Sequence, residues 1–192
     1  MKGYLQVSIR PAKMEDLPYI KRMCDRYIGM DYYTSEYLRR AYGEPDHYFT
    51  VYTDESNIPV AFLYMLITSF SEAGSILRSS VRLPVHEAVP GDQRVGIFKT
   101  TCTEEPYRGN GILSELMSYC EDVFRDIGVG IIFLNALKLP SGKIPSVNGL
   151  YKHKFMKLTD ISHPWSDIES YCPYCKKQHC VCDAVLYYKE ID

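Results

Sequence analysis

The chain has 192 residues, 46% of them hydrophobic and 24% charged, with a formal net charge of −2. That size and balance predict one globular domain over 1–192 with a substantial core, and the near-neutral charge excludes a general nucleic-acid binder. The longest apolar stretch, Ile58 to Phe70, is too short and too interrupted to cross a bilayer, and Met1-Lys2-Gly3-Tyr4 carries no secretory signal, so a cytoplasmic protein without a membrane partner is expected.

Leu5 to Arg10 alternates as a strand does, and a helix follows from about Asp16 to Ile28. Its apolar stripe is Leu17, Ile20, Met23, Cys24 and Tyr27, with Asp16 as cap and Pro18 in the first turn. Ser35 is expected to cap a second short helix that Gly43 ends. His47 to Asp54 and Ile58 to Phe70 predict a hairpin around Glu55-Ser56-Asn57. Ser71 to Gln93 shows no period and is expected to form a long loop. Arg94 to Thr103 predicts a strand. After it comes a helix with Leu113, Leu116, Met117, Cys120, Val123, Phe124 and Ile127 on one face, stopped by Gly128. Gly130 to Leu137 reads as a buried strand and Ser146 to Lys154 as a short helix. Phe155 to Ile161 and Ala184 to Ile191 read as a last strand pair, with a cysteine-rich hairpin, 171–183, between them.

The junction Thr101-Cys102-Thr103-Glu104-Glu105-Pro106-Tyr107-Arg108-Gly109-Asn110-Gly111-Ile112 carries the most chemistry. Strand, glycine turn and helix start follow one another, an order that aims backbone N–H groups and a helix dipole at an anion. A Walker loop would need Lys-Ser or Lys-Thr after the second glycine, and a Rossmann fingerprint a third glycine; neither is present. Arg108, Gly111 and the lead-in from Pro106 resemble the acetyl-CoA loop of the GNAT superfamily of N-acyltransferases, with Leu113 where Gly or Ala is usual. The element order agrees with that family along nearly the whole chain. The resemblance implies an α/β (α+β) fold, with a central mixed, mostly antiparallel sheet flanked by helices. It further implies acetyl-CoA as co-substrate, bound by Thr101, Cys102, Thr103 and the run Arg108, Gly109, Asn110, Gly111, Ile112 and Leu113.

Leu150, Tyr151 and Phe155 resemble the family's second block, although Val147 replaces its alanine and the glycine before Phe155 is missing. In the family this tyrosine protonates the departing thiolate, which makes Tyr151 the expected catalytic residue; a phenol of pKa about 10 holds its proton at neutral pH. The implied reaction is direct acyl transfer to an amine, with an N–H near Thr101 to Thr103 stabilising the oxyanion. Cys102 is expected to face the core rather than to carry the acyl group. Glu104, Glu105, His86 and Glu87 are base candidates by position only. The stretch Ser71 to Gln93, with Arg78, Arg82, His86, Glu87 and Asp92, is expected on the acceptor side, and the acceptor is expected to be a small amine.

Cys172, Cys175, Cys180 and Cys182 give C-x2-C-x4-C-x-C, close enough in sequence to complete a tetrahedral zinc shell. His179 is an alternative ligand, and free or redox-active thiols are the competing reading. At a hairpin tip such a site would be structural, and its loss would leave acyl transfer measurable. A second overall reading is a non-catalytic GNAT-like module with the cysteine hairpin as contact surface. The sequence leaves the oligomeric state open.

Overall fold

The structure is a computed structural model that describes residues 8–79 and 93–191. The apolar runs form strands β1 (Ser8–Pro11), β2 (His47–Thr53), β3 (Pro59–Ser69), β4 (Arg94–Thr103), β5 (Ile131–Lys138), β6 (Met156–Ile161) and β7 (Asp183–Glu190). The helices are α1 (Leu17–Tyr27), α2 (Ser35–Gly43), α3 (Phe70–Ile76), α4 (Ile112–Asp126) and α5 (Val147–Lys152). The strands make one seven-stranded sheet in the order β1-β2-β3-β4-β5-β7-β6. Only β4 and β5 run parallel; every other neighbouring pair is antiparallel.

The sheet is covered on both faces, which explains why β3 reads as a continuous apolar run. On one face Ile20, Met23 and Cys24 of α1 and Leu38 of α2 pack on Val51, Phe62 and Tyr64. On the other, Leu116, Met117, Cys120 and Phe124 of α4 pack on Leu63, Phe98 and Ile132. Burial of these two faces is the main favourable contribution to folding.

Several local expectations are corrected. The cap of α2 is Thr34, whose hydroxyl accepts the Tyr37 N–H at 3.0 Å, and not Ser35. Asp16 precedes α1 but makes no side-chain cap bond to it; its carboxylate instead takes the Lys13 N–H, as part of a capping box on the 3-10 turn Met14–Asp16, and the Arg10 guanidinium, each within 2.7 Å. Phe70, expected to end a strand, and Ser71–Ile76, expected as loop, together form a helix, capped by the Ser69 hydroxyl on the Glu72 N–H. Leu5 to Val7 of the first strand and residues 80–92, with Arg82, His86, Glu87 and Asp92, lie outside the described residues.

Candidate functional site

The parallel ladder between β4 and β5 is short. It pairs Gly96–Phe98 with Ile132–Leu134, yet the strands continue to Thr103 and Lys138. Just where the pairing ends, β4 has a bulge: Met65 pairs with Phe98 and Tyr64 with Thr100, which leaves Lys99 as the extra residue. A bulge bends its strand and increases its twist, so β4 turns away from β5 at this point. Beyond Phe98 no further residue of β4 pairs with β5 among the described residues, and Lys99, Thr100 and Thr101 line the gap.

The split opens a cavity of about 260 Å³. Lys99, Thr100 and Thr101 form its β4 wall, and Leu134 to Leu137 its β5 wall. Tyr27, Ile28 and Tyr32 close a third side, and Leu113, Met117 and Leu150 come from α4 and α5. The segment between β6 and β7 completes the enclosure with Trp165, Ile168, Ser170, Cys172, Tyr174 and Cys180. Burial pulls the Lys99 ammonium below its ordinary pKa, and repulsion from Arg78 adds to the effect. Asn135 donates through Nδ2 to the Leu77 carbonyl at 2.6 Å, while its Oδ1 is buried with no partner among the described residues.

The glycine turn lies at the start of α4. Gly109 and Gly111 have φ of 80° and 83°, left-handed values that favour glycine, and a Cβ on either would meet no atom within 4 Å. The space above the turn is therefore open. The Glu115 N–H makes the first intrahelical bond, to the Gly111 carbonyl at 3.1 Å, so the amides of Ile112, Leu113 and Ser114 precede the helix ladder. Arg108 braces this turn: its Nε donates to the Thr103 carbonyl at 2.9 Å, and its guanidinium lies 4.3 Å from the centre of the Tyr27 ring. Behind the turn, Ser114 Oγ is 2.6 Å from His153 Nε2, and His153 Nδ1 is 3.2 Å from Glu121 Oε1. Lys189 donates to Glu121 Oε2 at 2.6 Å. This buried chain ties the first turn of α4 to the end of α5 and to β7.

The residues singled out from the sequence divide clearly. Thr101 and Leu113 line the cavity. Cys102 faces the core beside Cys24, where burial pushes its thiol well above the ordinary value. Thr103 supplies the carbonyl that Arg108 holds. Glu104 is engaged by Arg26 at 3.0 Å and by the Tyr27 hydroxyl at 2.8 Å, whereas Glu105 is exposed. Tyr151 is 60% exposed on α5, next to Leu150 of the cavity wall, with its ring edge-on to Tyr187 at 6.4 Å.

The four clustered cysteines have sulfur atoms within 4.8 Å of one another, and none is in a disulfide. A tetrahedral shell with Zn–S bonds of about 2.3 Å has sulfurs roughly 3.8 Å apart, so the cluster is near that geometry. Burial opposes ionisation of Cys175, but hydrogen bonds from the backbone at Val181 and Lys177 and from Cys172 outweigh it and bring the thiol down to about 7. His179 is not part of the group; its Nδ1 is 3.2 Å from the Ser166 carbonyl. Nor is the cluster at a remote tip, since Cys172 and Cys180 line the cavity and Trp165 and Leu137 pack against it.

Lys99, Asn135, Tyr27 and Trp165 were not legible as site residues. Asn135 alone carried a signal, as the one polar residue within the apolar run Ile131 to Leu137. No helix among the described residues is long and apolar enough to cross a membrane.

The fold has many solved counterparts. NAA60 of Arabidopsis thaliana, in complex with acetyl-CoA, superposes with a TM-score of 0.73 at 16% identity, over 97% of this chain and 99% of that one. The ribosomal-protein-S18-alanine N-acetyltransferase of Escherichia coli gives 0.66 at 11% identity, over 97% and 95%. An N-acetyltransferase of Staphylococcus aureus Mu50 gives 0.62 at 16% identity, over 97% and 99%. The chain has the GNAT fold. No family profile and no curated protein matches the sequence. Within the GNAT fold the departures noted above have local explanations. Leu113, in place of a small residue, lines the cavity and packs beside Gly149 of α5. Lys154, in place of glycine, has φ of 61°. The Phe155 N–H bonds to the Leu150 carbonyl at 2.9 Å and the Lys154 N–H to the Tyr151 carbonyl at 3.0 Å, which is the Schellman closure that favours glycine.

Proposed function

We propose that the protein is an acyl-CoA-dependent N-acetyltransferase that passes an acetyl group directly from acetyl-CoA to a small-molecule amine. The observation that carries this reading is the split between β4 and β5 at Lys99, beside the open glycine turn of α4. The amides at Gly109 to Ser114 and the positive end of α4 would take the pyrophosphate, and the pantetheine arm would lie along the unpaired edge of β4. Occupancy of this fold by acetyl-CoA in NAA60 supports that placement.

In this mechanism the acceptor enters as a free amine on the apolar side of the cavity. It attacks the thioester carbonyl, and the developing oxyanion is met by a backbone N–H of the Lys99 to Thr101 stretch. Collapse expels the coenzyme thiolate, which Tyr151 protonates, while the attacking nitrogen sheds its extra proton to solvent, which returns a proton to the Tyr151 phenolate. The burial that lowers the Lys99 pKa would likewise favour the neutral, nucleophilic form of an incoming amine. A zinc ion at Cys172, Cys175, Cys180 and Cys182 belongs to the same reading as a structural ligand.

Titration calorimetry and thermal shift with acetyl-CoA test the proposal. A ligand bound by the native state alone must raise its apparent stability. Absence of both heat and shift at millimolar acetyl-CoA would remove the acyltransferase reading. Binding without turnover across a broad amine panel would turn it into the non-catalytic module.

A further inference from the structure

The segment between β6 and β7, residues 162–182, has no helix or strand of its own beyond an isolated bridge, Glu169 with His179. Its apolar cluster is small: Cys172, Cys180 and Cys182 with Leu137, Trp165 and Cys175 packed against them. A cluster of that size buries too little apolar surface to offset the entropy of ordering so long a segment. The segment nevertheless holds a defined path. Four sulfurs converge within 4.8 Å, three of the four cysteines are buried, and the Cys182 N–H points at Cys180 Sγ at 3.4 Å. Further backbone bonds, Lys176 N–H to the Cys172 carbonyl at 3.0 Å and Cys172 N–H to the Lys177 carbonyl at 2.9 Å, wrap the chain around the first cysteine pair.

That ordered segment is also a wall of the cavity. It docks on the α1–α2 junction, where Ser170 Oγ donates to the Met30 carbonyl at 3.0 Å. It docks as well on the end of α3, where Arg78 donates to the Pro164 carbonyl at 2.9 Å and pairs with Asp167. Neither α1–α2 nor α3 carries the glycine turn.

We propose that Cys172, Cys175, Cys180 and Cys182 hold one Zn²⁺ in a closed tetrahedral shell, and that this centre exists to build the acceptor wall of the cleft. The assignment of that wall to the acceptor rests on the acyltransferase reading; the metal centre does not. On binding, each thiol gives up its proton and its sulfur donates a lone pair to the ion, which keeps its oxidation state. The all-sulfur, four-coordinate donor set suits zinc, and with every position filled the ion has no open site for catalysis. Its effect is positional: it fixes Cys172 and Cys180, and through them Trp165, against the gap between β4 and β5.

The full-length protein, purified without added metal, tests both halves. Elemental analysis is expected to find about one zinc per chain, and cobalt substitution to give the absorption bands of a tetrahedral thiolate site. Less than about a tenth of a zinc per chain, with all four thiols freely titratable, overturns the metal centre, as does iron in its place. Chelation, followed by repletion with zinc, tests the wall. Removal should expose Trp165 to acrylamide quenching and speed hydrogen exchange in 162–182 and 135–137, with exchange in 108–116 unchanged. Acetyl-CoA affinity should change less than about twofold, and zinc should restore the starting state. Zinc loss that leaves Trp165 and residues 135–137 unaffected overturns the structural role. Failure to bind acetyl-CoA with or without zinc overturns the acyltransferase reading and leaves the metal centre standing.

Discussion

Ser170 sits directly against Gly29: a Cβ added to the glycine would fall within the space of Ser170 Oγ and 3.0 Å from the Tyr171 carbonyl. The β6–β7 segment therefore approaches the end of α1 as closely as a backbone without a side chain permits. Gly29→Ala should lift the segment and destabilise the protein by about 1–3 kcal/mol, the usual cost of overpacking. Melting curves and the emission of Trp165, the single tryptophan, check it. An unchanged spectrum would show that the segment absorbs the methyl group without moving.

Gly111 has φ of 83° and open space above it. Gly111→Val imposes a left-handed strain of about 1–2 kcal/mol and places branched carbons where the pyrophosphate would lie. The acetyl-CoA Kd should rise at least tenfold, beyond what the loss of stability accounts for. Calorimetry on the folded variant decides; an unchanged Kd would count against the coenzyme assignment.

Tyr151 presents an exposed phenol on α5. Tyr151→Phe should lower kcat by about tenfold or more and leave acetyl-CoA affinity nearly unchanged, as expected of a group used mainly in the transition state. Wild-type turnover in a chemistry-limited assay would remove Tyr151 from the mechanism.

Lys154 occupies the left-handed position after α5 with φ of 61°. Lys154→Gly relieves that strain and should stabilise the protein by up to about 1 kcal/mol. A lower midpoint in denaturant titration would show that the lysine side chain contributes more than its backbone costs.

Burial by itself would raise the Glu121 pKa, but hydrogen bonds from His153 and Lys189 outweigh it and hold the carboxyl below its ordinary value. A carboxyl depressed in the folded state stabilises the protein above its unfolded pKa, about 4.3. That contribution is lost as pH falls from there through the folded value. The wild type should lose stability over this acid range more steeply than Glu121→Gln, which cannot titrate there. Parallel stability profiles for the two proteins would refute the link.

Much of the sheet was legible because its strands are apolar runs bounded by turn residues; β4 and the face of α4 match their expected positions closely. The helix α3 was missed although Ser69 and Glu72 form a capping signature, because Gly74 and the absence of a long apolar stripe hide so short a helix. The position of Lys99 was invisible for another reason. A bulge is a relation between two strands, and nothing in Phe98-Lys99-Thr100 records which residues of β3 lie opposite.

The sequence by itself determined the element order apart from α3, the glycine turn at Gly109 and Gly111, and the presence of four cysteines at ligand spacing. These are properties of neighbours along the chain, set by side-chain periodicity and by backbone freedom at single residues. Only the tertiary structure decided that β4 parts from β5 after Phe98, and that the cysteine segment folds back so that Cys172 and Cys180 line the same cavity as Lys99 and Asn135. Those outcomes depend on strand pairing and loop docking between residues far apart in sequence, such as Ser170 and Met30. Local pattern carries no information about such contacts.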